Sequence, residues 1–152
     1  MNKKLTTHHV LAHSYSVFLL GLLIGLFLDL FLAIKIIPQY MQYFGLILML
    51  AAPLLIYWAQ RTSGRLRLKK ETLMVSDFKK GPYAITRGPT HLGLALLTIG
   101  FGLLNNAIFV VLFSIIVYFL SKRIFLKEQE KLLSQNYGEE YTKYQHEVNP
   151  WF

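Results

Sequence analysis

The sequence predicts an all-α integral membrane protein with four transmembrane helices, the third and fourth a tight hairpin, followed by cytoplasmic C-terminal helices. Three observations carry that expectation. Hydrophobic residues make up 54% of the 152-residue chain and charged residues only 16%, against about 45–50% and 25% in soluble domains. The apolar residues fall in runs of the length a bilayer requires, roughly 20 residues for a core of ~30 Å. The basic residues, 16 Lys plus Arg against 8 Asp plus Glu, fall between those runs. So many apolar and aromatic residues exclude a disordered chain. The absence of cysteine excludes disulfides, thiolate nucleophiles and cysteine metal sites.

Ser14–Ile34 is apolar apart from Asp29, and the first span is placed at about 14–36. Lys3 and Lys4 precede it as in a signal peptide, but no small-x-small cleavage site follows, so a retained anchor is expected. Gly21-x-x-x-Gly25 within it suits close helix packing. Asp29, a costly acid at that depth, is expected to meet a local polar partner. Tyr40–Gln60 is a second uncharged run, with Pro53 inside it as an expected kink and Tyr40, Tyr43, Tyr57 and Trp58 as candidate interface anchors. Gly88–Ser121 holds 34 residues without a charge, about 51 Å as one helix and too long for one crossing. Gly100, Gly102 and Asn105-Asn106 interrupt it, and adjacent Asn residues favour a turn. Spans at about 90–104 and 107–126 follow, with a loop at 61–89 and a tail at 127–152, all in a single multi-pass domain.

Fifteen of the sixteen basic residues lie on one side of this arrangement: two before the first span, eight in the 61–89 loop and five from Lys122, at the end of the fourth span, onward. Lys35 alone lies on the other. The positive-inside rule then puts both termini and the long loop in the cytoplasm, in a multi-pass cell membrane. That bias accounts for the positive charge without nucleic acid. It also brings the loop feeding the third span beside the segment leaving the fourth, at the cytoplasmic surface.

Within the loop, Thr62-Ser63-Gly64 and Gly81-Pro82 are turn signals. The alternation of Leu66 and Leu68 with Arg65, Arg67 and Lys69 suggests a short extended or interfacial piece. Helical spacing continues past the fourth span to a stop at Asn136-Tyr137-Gly138. A second amphipathic helix is expected at about Glu139–Glu147, ahead of Pro150-Trp151. Five of the eight acids lie in this tail. His8, His9 and His13 have metal-like spacing, but no carboxylate accompanies them, and an interfacial segment is the expected reading. No metal site is expected.

Two segments carry a resemblance. Gly81-Pro82-Tyr83-Ala84-Ile85-Thr86-Arg87-Gly88-Pro89-Thr90-His91-Leu92-Gly93 resembles the loop-to-helix motif G-P-Y-x-x-x-R-H-P-x-Y-x-G of the isoprenylcysteine carboxyl methyltransferase and phospholipid methyltransferase group. Glu128-Gln129-Glu130-Lys131-Leu132-Leu133, then Tyr137-Gly138-Glu139-Glu140-Tyr141 and Tyr144, resembles its second motif, a Glu pair followed by F-G-x-x-Y-x-x-Y. The similarity covers about Leu73–Phe152. Gly88 stands where the pattern has His, His91 where it has Tyr, and Gln129-Glu130 where it has the Glu pair.

The resemblance implies a small helical membrane enzyme that methylates a lipophilic substrate with S-adenosylmethionine. Here the substrate class is an isoprenylcysteine-type carboxylate or a phospholipid amine. It implies a cofactor site formed by Tyr83, Pro89, His91, Leu92, Gly93, Gln129, Glu130 and Glu128, with Arg87 and His91 as the catalytic candidates. Arg87 suits a carboxylate or phosphate through bidentate hydrogen bonds, and His91 suits proton removal from an amine. The altered positions leave a non-catalytic lipid-binding or assembly relative as the alternative. A steroid-reductase-like NADPH enzyme is a more distant one.

Overall fold

The computed structural model describes residues 7–68 and 74–148, with side chains over 12–65 and 74–148. The side chains of His8 and His9 and the Pro150-Trp151 segment lie outside the described residues. Helix α1 spans Thr7–Leu32, α2 Gln39–Leu68, α3 Val75–Phe78, α4 Pro89–Leu104, α5 Ile108–Ser121 and α6 Lys127–Glu147. A 3₁₀ turn, Gly81–Ala84, links α3 to α4, and one π-helical turn, Lys122–Leu126, joins α5 to α6. No strand occurs among the described residues.

Three helices are long and apolar enough to cross a membrane: Ala12–Leu32, Gln39–Arg65 and Ile108–Glu147, with Pro89–Leu104 a shorter apolar helix. Even up to its kink at Gly138 the third is about 45 Å long, well beyond a bilayer core. Lys127, Glu128, Glu130 and Lys131 keep its second half, α6, out of an apolar layer. The outer faces of α1, α2 and α5 display side chains such as Leu30, Phe31, Leu54 and Ile116. Apolar exposure on this scale marks a surface that another phase covers.

The helices meet through small residues. A Cβ on Gly25 would lie 2.7 Å from Val110 Cα, and one on Gly21 2.6 Å from Val117 Cγ2, so α1 and α5 pack backbone to backbone. Gly45 and Gly100 face each other's carbonyls in the same way and join α2 to α4.

The Asn105-Asn106 turn forms as expected. Asn106 adopts φ 53°, and its Oδ1 accepts a hydrogen bond from Ile37 N at 2.9 Å. Lys35 Nζ donates to the carbonyls of Asn105 and Asn106, both at 3.3 Å. The expected partner of Asp29 is the start of α5: Phe109 N donates to Oδ1 at 3.2 Å and Val110 N to Oδ2 at 3.0 Å. A carboxylate here satisfies two N–H groups that the first helical turn leaves unpaired, and it opposes the positive end of the helix dipole.

Several boundaries differ from the sequence reading. The first helix ends at Leu32 rather than near residue 36, because Ala33 turns left-handed at φ 51° and donates to the Asp29 carbonyl at 3.0 Å. The second helix does not stop at Gln60 but continues to Leu68, so Thr62-Ser63-Gly64 is no turn and Leu66 and Leu68 are not extended. The hydroxyls fold back on their own helix, Thr62 Oγ1 onto Trp58 O at 2.9 Å and Ser63 Oγ onto Gln60 O at 3.0 Å. That local bonding satisfies them without breaking the ladder. In the tail the expected stop is present: Gly138 has φ 60° and ψ −136°, a non-helical conformation open to glycine, and α6 is two helical segments meeting there.

Candidate functional site

The site grows from how the chain enters α4. Pro82, Thr86 and Pro89 are fully buried, and Pro89 opens the helix, where a missing N–H costs nothing. Thr86 Oγ1 accepts a hydrogen bond from Gly88 N at 3.3 Å. This fixes the bend that turns Arg87 toward α6, and His91 follows one turn after Gly88. From the other side, the long helix leaving α5 delivers Gln129 and Glu130.

The two segments are stapled together. Tyr144 OH donates to Tyr83 O at 2.8 Å, and Val75 N donates to Glu140 Oε2 at 3.1 Å. Phe78 packs against Tyr137, Tyr141 and Tyr144 with ring centroids 5.4–5.8 Å apart. Burial pushes the Tyr141 and Tyr144 phenols well above the ordinary tyrosine range, so both stay neutral donors at any ordinary pH.

Between the segments lies a cavity of about 530 Å³, within the range that encloses small ligands. Tyr83, Arg87, Pro89, His91 and Gln129, all expected at the site, line it. Glu130 stands behind the wall, with Oε1 2.9 Å from Arg87 Nη1. The pair is ionic, but the N–H is not aimed at the oxygen, and Glu130 Oε1 and Arg87 Nε lack hydrogen-bond partners. Burial raises the Glu130 carboxyl above its ordinary value, while Arg87, Lys122 and Lys127 pull it back.

Glu128, Leu92 and Gly93 do not line the cavity. Leu92 and Gly93 follow His91 by about 100° and 200° around the helix, and a Cβ on Gly93 would meet Ile56 Cγ1 at 2.5 Å. Gly93 serves the α2–α4 contact instead.

The sequence reading missed three contributions. Ala12 and Tyr15 of α1 reach the cavity. So do Gln60, Ser63 and Gly64, because α2 runs on past the apolar segment. Lys122 is only 4% exposed and holds Nζ 4.9 Å from the Tyr118 ring centroid. Its one signal in the sequence is its place at the end of an uncharged run, where it reads as a topology charge. It opens the π-helical turn, a feature often found at functional sites.

This arrangement suits a ligand with an anionic group, which Arg87 can meet at the cavity wall while Glu130 holds the guanidinium from behind. Among the described residues no group of three His, Cys, Asp or Glu could hold a metal ion. A family model for phospholipid methyltransferases matches residues 40–140, about two thirds of the chain, taking in the first motif and most of the second. No curated protein and no solved structure matches significantly. With its apolar helices, its paired motif segments and a match over most of its length, the chain belongs to the phospholipid methyltransferase family.

Proposed function

We propose that the protein is an S-adenosylmethionine-dependent methyltransferase of the cell membrane that acts on a lipophilic substrate. The acceptor is a phospholipid amine or an isoprenylcysteine-type carboxylate. The observation that carries this reading is the cavity closed by the two motif segments, with the Arg87–Glu130 pair at its wall. The lining supports this reading: the Arg87 guanidinium on the cavity wall suits the cofactor's carboxylate, and Glu130 holds it from behind. Tyr83, Pro89 and Gln129 complete the wall. When bound, S-adenosylmethionine supplies a methyl group on an electron-poor sulfonium.

The chain's own tasks are then to hold donor and acceptor in line and to exclude water. Burial of Thr86, Pro89 and Thr90 seals the floor of the bend, and the Phe78–Tyr137–Tyr141–Tyr144 cluster closes the side. A carboxylate acceptor needs no base. An amine must lose a proton, and His91 is the group on the cavity wall able to take it.

The same elements support a membrane placement. Four crossings, α4 among them, leave both termini and the cavity on the cytoplasmic side. Tyr40 and Trp58 are 72% and 50% exposed and lie about 27 Å apart along α2, near the thickness of the hydrocarbon core. Gln60, Ser63 and Gly64 then sit at the cytoplasmic surface, within reach of lipid headgroups.

The test is transfer of a labelled methyl from S-adenosylmethionine to phosphatidylethanolamine, or to a farnesylcysteine, by purified protein in nanodiscs. Label in either lipid product supports the reading. Folded protein that labels neither contradicts it, and saturable NADPH binding instead points to the reductase-like alternative. Gly88 in place of the pattern's His favours the non-catalytic relative as the second reading; under it, Arg87→Ala and Glu130→Ala leave the cellular phenotype unchanged.

A further inference from the structure

A set of buried polar groups gathers beside the place where α1, α4 and α5 meet. Phe18, Ala95 and Val117 pack together where α1, α4 and α5 meet. Gly25 faces Val110 and Gly21 faces Val117, so α1 and α5 run antiparallel, and the α4–α5 hairpin makes α4 parallel to α1. One helical turn toward the cavity on each helix therefore leads from Phe18 to Ser14, from Ala95 to His91, and from Val117 to Ser121. All three are buried, at 0%, 2% and 0% exposure. Ser14 Oγ, His91 Nε2 and Ser121 Oγ all lack a hydrogen-bond partner.

Other buried hydroxyls in these helices behave differently. Ser114 Oγ donates to Val110 O at 2.7 Å, and Thr98 Oγ1 donates to Leu94 O at 3.0 Å. Local back-bonding is the ordinary solution for a hydroxyl in an apolar helix, and the unpaired atoms fall together at one level.

We propose that Ser14, His91 and Ser121 form a buried polar layer bordering the cavity. In it the serines hold the imidazole with Nε2–H as an inward donor through one buried water, and leave Nδ1 as an acceptor toward the cavity. A serine hydroxyl with no bond to its own helix keeps both its proton and its lone pairs for such a network. A neutral imidazole has one donor and one acceptor nitrogen, and a bond at one fixes the other. Nδ1 is on the side of Gly88, 3.7 Å from where its Cβ would stand, and both residues line the cavity. Nδ1 is then the free base that an amine acceptor requires. Ser14 and Ser121 are positioning residues. Their catalytic consequence rests on the methyltransferase reading, but the tautomer does not.

The test is NMR of protein labelled with ¹⁵N- and ¹³C-histidine in nanodiscs, with His91 identified through the His91→Asn variant. The expected result is an Nε2–H tautomer for His91 in wild type. Ser14→Ala/Ser121→Ala converts it to the other tautomer or a mixture, and Ser14→Thr/Ser121→Thr preserves it. In turnover, the double alanine variant loses about tenfold or more in kcat with cofactor affinity unchanged. An Nδ1–H tautomer in wild type overturns the proposal, as does an unchanged tautomer in folded double alanine protein. The tautomer is read without cofactor or turnover, so absence of methyl transfer defeats the functional reading separately.

Discussion

At the end of the assembly that carries the Asn105-Asn106 turn, the buried acid and the exposed backbone groups find partners. Asp29 takes two N–H groups of α5, Asn106 takes one from Ile37, and Lys35 covers two carbonyls. At the opposite end, Ser14, Arg87, His91, Ser121 and Glu130 each keep a buried polar atom without a hydrogen bond. Leaving such a group unsatisfied costs about 1–3 kcal/mol. One end is therefore arranged for stability, while the other holds polarity in reserve around a cavity. Stability and site are separable in this chain, and substitutions at the two ends should fail in different ways.

The largest expected effect is at the satisfied end. Asp29→Ala removes two charge-assisted bonds and strands the Phe109 and Val110 N–H groups, at a cost of about 3–5 kcal/mol, read as a lowered melting temperature in detergent. Methyl transfer per folded molecule stays close to wild type. Arg87→Ala weighs the other way: transfer falls about a hundredfold, or roughly 2.7 kcal/mol, while melting falls less than in Asp29→Ala because Glu130, left without its partner, can take up a proton. Gly25→Val tests the close α1–α5 approach, since its Cβ would stand 2.7 Å from Val110 Cα, and overpacking of this kind costs about 1–3 kcal/mol.

A smaller effect is written in pH. The Glu130 carboxyl is raised above its ordinary 4.5 by burial, so its ionisation opposes folding. The cost is absent below that ordinary value and grows as pH rises through the raised one. Glu130→Gln therefore gains on wild type between acid and neutral pH, by under about 1 kcal/mol after solvent screening. Glu140 has the opposite sign. Its bonds to Lys143 and Val75 N lower its pKa, so its contribution is present above 4.5 and fades as pH falls through the lowered value. Unfolding of the two single variants, Glu130→Gln and Glu140→Gln, across pH 3–7 separates them.

Much of this comparison was legible in the sequence. The turn at Asn105-Asn106, the packing of Gly21 and Gly25, a polar partner for Asp29 and the meeting of the two motif segments all follow from residue type and spacing. What could not be read depends on where helices point and stop. Thr62-Ser63-Gly64 reads as a turn, yet its hydroxyls bond within α2 and carry the helix on to the cavity. Lys122 reads as one more basic residue until the π-helical turn is seen to bury it. Glu128, Leu92 and Gly93 belong to the motif segments but fall on the wrong side of their helices to reach the cavity, a matter of phase that spacing alone does not settle. The layer of Ser14, His91 and Ser121 joins three helices far apart in sequence, and only their register brings it into view.

Equilibrium binding of S-adenosylmethionine, measured by calorimetry in lipid nanodiscs, decides whether the unsatisfied end holds the proposed cofactor. The account predicts saturable one-to-one binding to wild type, weakened tenfold or more in Arg87→Ala and in Glu130→Gln, and unchanged in whatever fraction of Asp29→Ala remains folded. Folded wild-type protein that binds no S-adenosylmethionine, or binds it equally well without Arg87 and Glu130, would contradict it.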